Sequence, residues 1–295
     1  MKRIFIVICM ALIGYHAAAQ ETQEIKKVVY PEGYQAQLDV VYTKVDKWDG
    51  RMDIYTPPKE KGLSPVVINI HGGGWNKGTK ESQTGFSGFF KKGYAVANVE
   101  YRLSQAAPAP AAVEDIRCAL IYLTENAKAL NIDPDRIVIM GGSAGAHLAL
   151  MGGLLENDHR FDTNCKTIKT IKVAAIIDQY GIADVWDWGY GQHKTSKSVA
   201  QWLGDHAKDQ SFAASVSPIS YVKKSSPPTF IVHGDADPVV PYEQSEALYK
   251  KFQEMGVKSQ FVTVPGGEHG KFDQEKKREV NGQIMDFLKS LGIHK

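Results

Sequence analysis

A serine framed by glycines is the first place in this chain where chemistry could be done. Gly141-Gly142-Ser143-Ala144-Gly145 fits G-x-S-x-G. It follows the apolar run Ile137-Val138-Ile139-Met140 and leads into a helix-compatible run from His147 to Leu155. Strand, tight turn and helix in that order form a nucleophile elbow, in which a strained turn lifts the serine hydroxyl above a sheet edge at the positive end of a helix. A hydroxyl is a weak nucleophile, so Ser143 needs a base, a group to orient the base, and donors for a developing oxyanion.

Donors have a source in His71-Gly72-Gly73-Gly74-Trp75, placed just after the apolar run Val66 to Ile70. Without Cβ atoms, the backbone N–H groups of Gly73 and Gly74 can approach a substrate closely, and that of Ala144 completes the hole. One such donor is worth about 3–4 kcal/mol of barrier.

Nine histidines compete for the base. His147, one turn below Ser143, is placed to pack. His71 and His233, at strand ends, suit supporting roles, while His159, His193, His206 and His294 lie in polar stretches with no supporting pattern. His269, in Pro265-Gly266-Gly267-Glu268-His269-Gly270, follows the last strand and satisfies the chain order serine, acid, histidine. The acid belongs on the preceding loop, His233-Gly234-Asp235-Ala236-Asp237-Pro238, where spacing alone leaves both Asp235 and Asp237 open. The aspartate not used for this is expected to cap the turn or the next helix.

The elements that must position these residues alternate. Ala36–Tyr42 and Arg51–Tyr55 read as a hairpin turned at Asp49-Gly50. Strands are expected at 66–70, 94–101, 137–140, 173–177, 229–232 and 259–264. Helices are expected at 86–92, 111–123, 147–155, 239–252 and 274–291, and Asp133-Pro134-Asp135 reads as a turn. Alternating strands and helices imply a mostly parallel central sheet with helices on both faces and antiparallel strands at its N-terminal edge. Residues 182–217 break that rhythm. They carry Trp186, Trp188, Tyr190, Trp202 and Phe212 among polar residues, and read as a small lid-like insertion or as a surface excursion whose aromatics cover core.

Composition bounds the rest. Residues 1–20 have the layout of a secretory signal peptide: a basic start, about ten apolar residues and Ala17-Ala18-Ala19. The apolar run is too short to span a bilayer, and Cys9 lies inside it rather than at its end. Export to a periplasm or the cell exterior is therefore expected, with 21–295 as a single catalytic domain. Loss of residues 1–20 removes Lys2 and Arg3 and no acid, leaving 33 basic and 33 acidic residues. That balance gives no reason to expect nucleic acid or an anionic membrane as partner. Cys118 and Cys165 could pair outside the cytosol, but 47 positions of separation prove no proximity. No Cys/His spacing suggests zinc and no acidic loop suggests calcium.

Taken together, HGGGW at 71–75, EYRLS at 100–104, PAAVEDIRCALIYL at 110–123, GGSAGAHLA at 141–149, SPISYV at 217–222, HGDADPVVP at 233–241 and GGEHG at 266–270 resemble the esterase/lipase group of α/β-hydrolases. Hormone-sensitive-lipase-like carboxylesterases are similar, and bacterial feruloyl-esterase-like (BD-FAE-like) enzymes more so. The resemblance implies the α/β-hydrolase fold, Ser143 as nucleophile, His269 as base and, through H-G-x-x-D, Asp237 as acid. It implies hydrolysis of short-chain or carbohydrate-linked acetyl or feruloyl esters through an acyl-enzyme, with no metal or organic cofactor. A small-molecule or oligosaccharide ester is the expected partner. Two rivals are an arylformamidase, since H-G-G-x-W also occurs in similar kynurenine formamidases, and a catalytically inactive binding member of the fold. Export argues against the first, and the presence of all three triad residue types against the second.

Overall fold

The structure, a computed structural model, describes residues 27–192 and 196–294. The expected signal peptide, with Cys9 and His16, lies outside those residues, and so does His193. Eight strands form one sheet in the order β1-β2-β4-β3-β5-β6-β7-β8. They are β1 (Gln35–Val45), β2 (Trp48–Thr56), β3 (Ser64–Ile70), β4 (Ala95–Val99), β5 (Ile132–Gly142), β6 (Ala175–Gln179), β7 (Thr229–Gly234) and β8 (Ser259–Val264). β1 and β2 are antiparallel at one edge, and β3 to β8 are mutually parallel. Strands that bury both faces need apolar residues at every position, which is why 66–68, 137–139 and 230–232 read as unbroken apolar runs.

The helices are α1 (Ser87–Lys91), α2 (Ala111–Glu125), α3 (Ala127–Leu130), α4 (Ala144–Leu154), α5 (Val185–Tyr190), α6 (Lys197–Leu203), α7 (Gln210–Ser215), α8 (Glu243–Glu254) and α9 (Gln274–Ser290). Alternation along β3 separates two cores. Val66, Ile68 and Ile70 pack with α2, α4 and α8, while Val67 packs with Phe89, Phe90 and the Ile284 and Phe287 of α9. No helix among the described residues is long and apolar enough to cross a membrane.

Two local expectations need correction. The hairpin turns at Asp46-Lys47, not Asp49-Gly50, because Val45 pairs with Trp48 and Gly50 pairs with Thr43 inside the ladder. Asp46 takes the left-handed conformation (φ 52°) that a short acidic side chain tolerates. Gly50 serves packing, since a Cβ there would lie 2.8 Å from the Tyr42 ring. The Asp133–Asp135 turn is an irregularity within β5, with the Asp135 N–H donating to Asp133 Oδ1 at 3.0 Å.

Segment 182–217 folds into α5, α6 and α7, and its largest side chains are core. Trp202 is 1% exposed and stacks on Trp75 at 4.3 Å and 13°, and Trp188 meets Trp75 edge-on at 5.7 Å. Cys118 of α2 and Cys165 form a disulfide with Cα atoms 5.5 Å apart, the pairing that spacing could not decide. Arg102 of EYRLS forms an ion pair with Asp115 of α2 at 2.8 Å, so two motifs with no evident chemistry hold each other in place.

Candidate active site

Ser143 sits between β5 and α4 with φ 56° and ψ −125°, a conformation a residue with a Cβ rarely adopts. Its N–H donates to the Gln179 carbonyl at 2.9 Å, tying the elbow to the end of β6. Gly145 makes the turn possible, since a Cβ there would lie 2.2 Å from the Ile70 carbonyl oxygen. Ala144 opens α4, so its N–H is one of the first-turn donors without an intrahelical acceptor. Gly73 and Gly74 face the same cavity as Ser143. Gly73 has φ 118°, and a Cβ on it would lie 2.0 Å from the Lys77 carbonyl oxygen. The Asn76 and Lys77 N–H groups donate to the Gly73 carbonyl at 3.1 and 3.2 Å, closing the loop on itself.

Of the two aspartates left open, Asp237 is the one beside the imidazole. His269 Nδ1 lies 2.6 Å from Asp237 Oδ2, and that carboxylate is fully covered. The same oxygen accepts from His233 Nε2 at 3.1 Å, and Oδ1 accepts from the Val239 and Val240 N–H groups at 2.7 and 3.0 Å. Burial acts to raise the Asp237 carboxyl, but hydrogen bonds from His233, His269 and Val239 outweigh it and hold it well below the usual carboxylate range. Asp235 instead accepts from the Gly266 N–H at 2.6 Å. It fastens the loop that carries His269, rather than capping the following helix.

The remaining histidines divide by what their nitrogens meet. His147 Nδ1 accepts from the Trp75 indole N–H at 3.2 Å and its Nε2 donates to the Val216 carbonyl at 2.8 Å, which defines a neutral tautomer. Burial pushes its pKa down to about 4. His71 stacks on Tyr101 at 4.3 Å, and burial lowers its pKa against a hydrogen bond to the Gly72 carbonyl. His233 Nδ1 meets Ser245 Oγ at 2.7 Å, so this ring braces the acid from below. His159 pairs with Asp162 and His206 stacks on Phe212, both away from the cavity.

Ser143 and His269 line one cavity of about 780 Å³, together with Gly73, Gly74, Tyr180 and Trp188. Tyr180 carries no motif. Its only signal in the sequence is its place just after a predicted strand, yet it takes φ 46° and sets its ring 4.8 Å from that of His269. Burial, then the charge of Asp237, push its phenol pKa up. Its hydroxyl fills the space beside Gly142 and Gly270, where a Cβ would lie 2.9 and 2.6 Å from it. Of the five aromatics in 182–217, Trp188 faces the cavity, while Trp202 is held in the core.

The elbow, the glycine loop and the histidine–aspartate pair stand at the carboxyl edge of an α/β-hydrolase sheet, and the BD-FAE family matches residues 52–252. The chain belongs to the BD-FAE family. Esterase LipQ of Mycobacterium tuberculosis (strain ATCC 25618 / H37Rv) is 30% identical over 76% of this chain and 55% of its own length. An isoprenylcysteine alpha-carbonyl methylesterase of Arabidopsis thaliana is 27% identical over 88% of this chain and 62% of its own. The chain thus spans about half the length of the curated relatives it matches. Among solved structures, a truncated form of a carbohydrate esterase from gut microbiota superposes with a TM-score of 0.79. It is 27% identical, and the match covers 88% of this chain and 99% of that one. All of the motif residues from Gly73 to Asp237 fall within the BD-FAE match, and His269 lies beyond it.

Proposed function

We propose that this BD-FAE member is a serine carboxylic-ester hydrolase acting by two-step acyl transfer. The observation that carries the reading is that Ser143, strained on its elbow, opens into the same cavity as His269, whose other nitrogen is held by Asp237 at 2.6 Å. His269 takes the Ser143 proton as the hydroxyl attacks the ester carbonyl. Asp237 keeps the proton on Nδ1, leaving Nε2 free to accept, and stabilises the imidazolium that forms. The N–H groups of Gly73, Gly74 and Ala144 receive the oxyanion, the imidazolium protonates the leaving alcohol, and water repeats the cycle on the acyl-enzyme.

The substrates proposed are short-chain or carbohydrate-linked acetyl or feruloyl esters. Support comes from a cavity with Asn69, Asn76, Ser82, Gln83, Gln179 and Ser198 in its walls, which would leave a long alkyl chain facing polar groups. The gut carbohydrate esterase among the solved relatives points the same way. Export is proposed as well, supported by the secretory layout of residues 1–20 and by a disulfide of the kind that persists outside a reducing cytosol. The deciding test is Ser143→Ala in a folded protein. Hydrolysis of a short 4-nitrophenyl ester is expected to fall by about 10⁴-fold or more, as triad nucleophile losses do. Retention of more than about a few per cent of activity would sink the mechanism.

A further inference from the structure

From Pro65 to Ile70, β3 is apolar except for Asn69. Asn69 is 4% exposed and pairs in register with Asn98 on β4, which is 1% exposed. The Asn98 amide nitrogen donates to two backbone carbonyls, those of Lys80 at 2.6 Å and Gln83 at 3.2 Å. Two acceptors on one side leave the Asn98 amide a single orientation, with its oxygen toward Asn69. That oxygen accepts from Asn69 Nδ2 at 2.9 Å. The Asn69 amide is thereby oriented too, with its nitrogen committed and its oxygen left over.

Asn69 lines the same cavity as Ser143, and so do Ser82 and Gln83. Among the described residues no group donates to its Oδ1. That oxygen is not among the side-chain atoms buried without a partner, so it opens on the cavity as a fixed acceptor that a donor on a bound substrate can meet. The scaffold behind it is rigid. Lys80 is 3% exposed and its ammonium lies 3.1 Å from Asp39 and 3.0 Å from Asp53, which anchors the carbonyl that orients Asn98.

We propose that Asn69 Oδ1 is a specificity-determining acceptor for a hydroxyl group of the substrate, at the β3–β4 end of the cavity. It rests on the ester-hydrolase reading and adds a selection rule to it. An acceptor-only group rewards an O–H and gives nothing to an ether or alkyl group in its place. A cationic donor is disfavoured by Lys77 and Lys197, which line the same cavity.

The test measures kcat/KM on matched esters, with the hydroxyl first on the acyl side and then on the alcohol side. The acyl arm compares 4-nitrophenyl glycolate with 4-nitrophenyl methoxyacetate. The alcohol arm compares 2-hydroxyethyl acetate with 2-methoxyethyl acetate and propyl acetate. One good hydrogen bond predicts a preference of about tenfold for the hydroxylated ester in one arm, and that arm says which half of the substrate meets Asn69. Asn69→Leu should bring the ratio to near one. Asn98→Leu, outside the cavity, should lower it by freeing the Asn69 amide to turn. A wild-type ratio within about twofold of one in both arms overturns the proposal with no variant needed, and so does a ratio that survives Asn69→Leu. Turnover of 4-nitrophenyl acetate reports the underlying reading separately. Good turnover with flat ratios overturns the acceptor alone, and no turnover of any ester overturns both.

Discussion

The glycine loop with its elbow and the aromatic segment 182–217 border the same cavity, but different forces hold them. At Gly73 and Ser143 position is set by positive φ angles, and at Gly73 and Gly145 by approaches that leave no room for a Cβ. In 182–217 position is set by side chains, with Trp202 and Trp188 packed on Trp75 and each short helix too brief to stand on propensity alone. Trp75 joins the two regions, since it ends the HGGGW loop, takes φ 58° and forms the middle of the aromatic stack. In the first region, adding one atom should destroy function. In the second, deleting atoms should destroy stability.

The largest effect expected separates the two aspartates of the acid loop. Asp237→Asn should lower kcat by about 10³–10⁴-fold, because an amide no longer holds the imidazole tautomer. Asp235→Asn should cost well under tenfold, since an amide oxygen can still accept from the Gly266 N–H. Equal losses in steady-state assays would erase the assignment. Next, if Gly73 supplies an oxyanion donor as proposed, Gly73→Ala should lower kcat by about 10²-fold or more. Its melting temperature should fall less than that of the packing variant below. Third, Trp202→Ala should cost about 3–5 kcal/mol in chemical denaturation. Trp202→Phe keeps the ring stack and deletes an indole N–H that is buried without a partner among the described residues, so it should cost far less. If the alanine variant melts like wild type, segment 182–217 is held by something other than its aromatics.

The smallest effect is a pH dependence at the joint between the regions. His147 is folded as a neutral ring with its pKa pushed down to about 4 by burial. Between that value and the unfolded value near 6.5 the unfolded chain binds the extra proton. This group's contribution to stability is thus full above about pH 6.5 and is lost as pH falls toward 4. Asp115 and Asp178, both raised to about 6 chiefly by burial, tilt the same window the other way, so the wild-type slope is partly cancelled. The difference from His147→Gln isolates the histidine. The variant should melt lower near neutral pH yet lose fewer degrees than wild type between about pH 7 and pH 5. A variant that loses as much as wild type would show that His147 does not titrate on unfolding.

Most of the site-bearing scaffold was legible in the sequence, because its determinants are local. Apolar runs mark buried strands, and G-x-S-x-G or three consecutive glycines mark turns that other residues cannot make. The position of His269, on the loop after the last strand, was legible, while its role as base belongs to the proposed mechanism. Gly50 was misread as a turn residue because a glycine needed for close packing looks the same in sequence as one needed for a turn. Tyr180 and Asn69 left almost no trace, since each matters only through what a distant segment brings to it.

The sequence by itself determined the alternation of strands and helices, the elbow turn and the glycine loop, since backbone geometry depends on residues a few positions apart. Residue spacing left Asp235 and Asp237 open, the H-G-x-x-D resemblance singled out Asp237, and the tertiary structure sets it beside His269. Only the tertiary structure decided that Cys118 reaches Cys165 and that Trp202 belongs to the core rather than to a substrate. It alone also decided the direction in which the Asn69 amide points. Each of those depends on a contact between segments far apart in the chain, and the spacing of residues carries no record of who is adjacent in space.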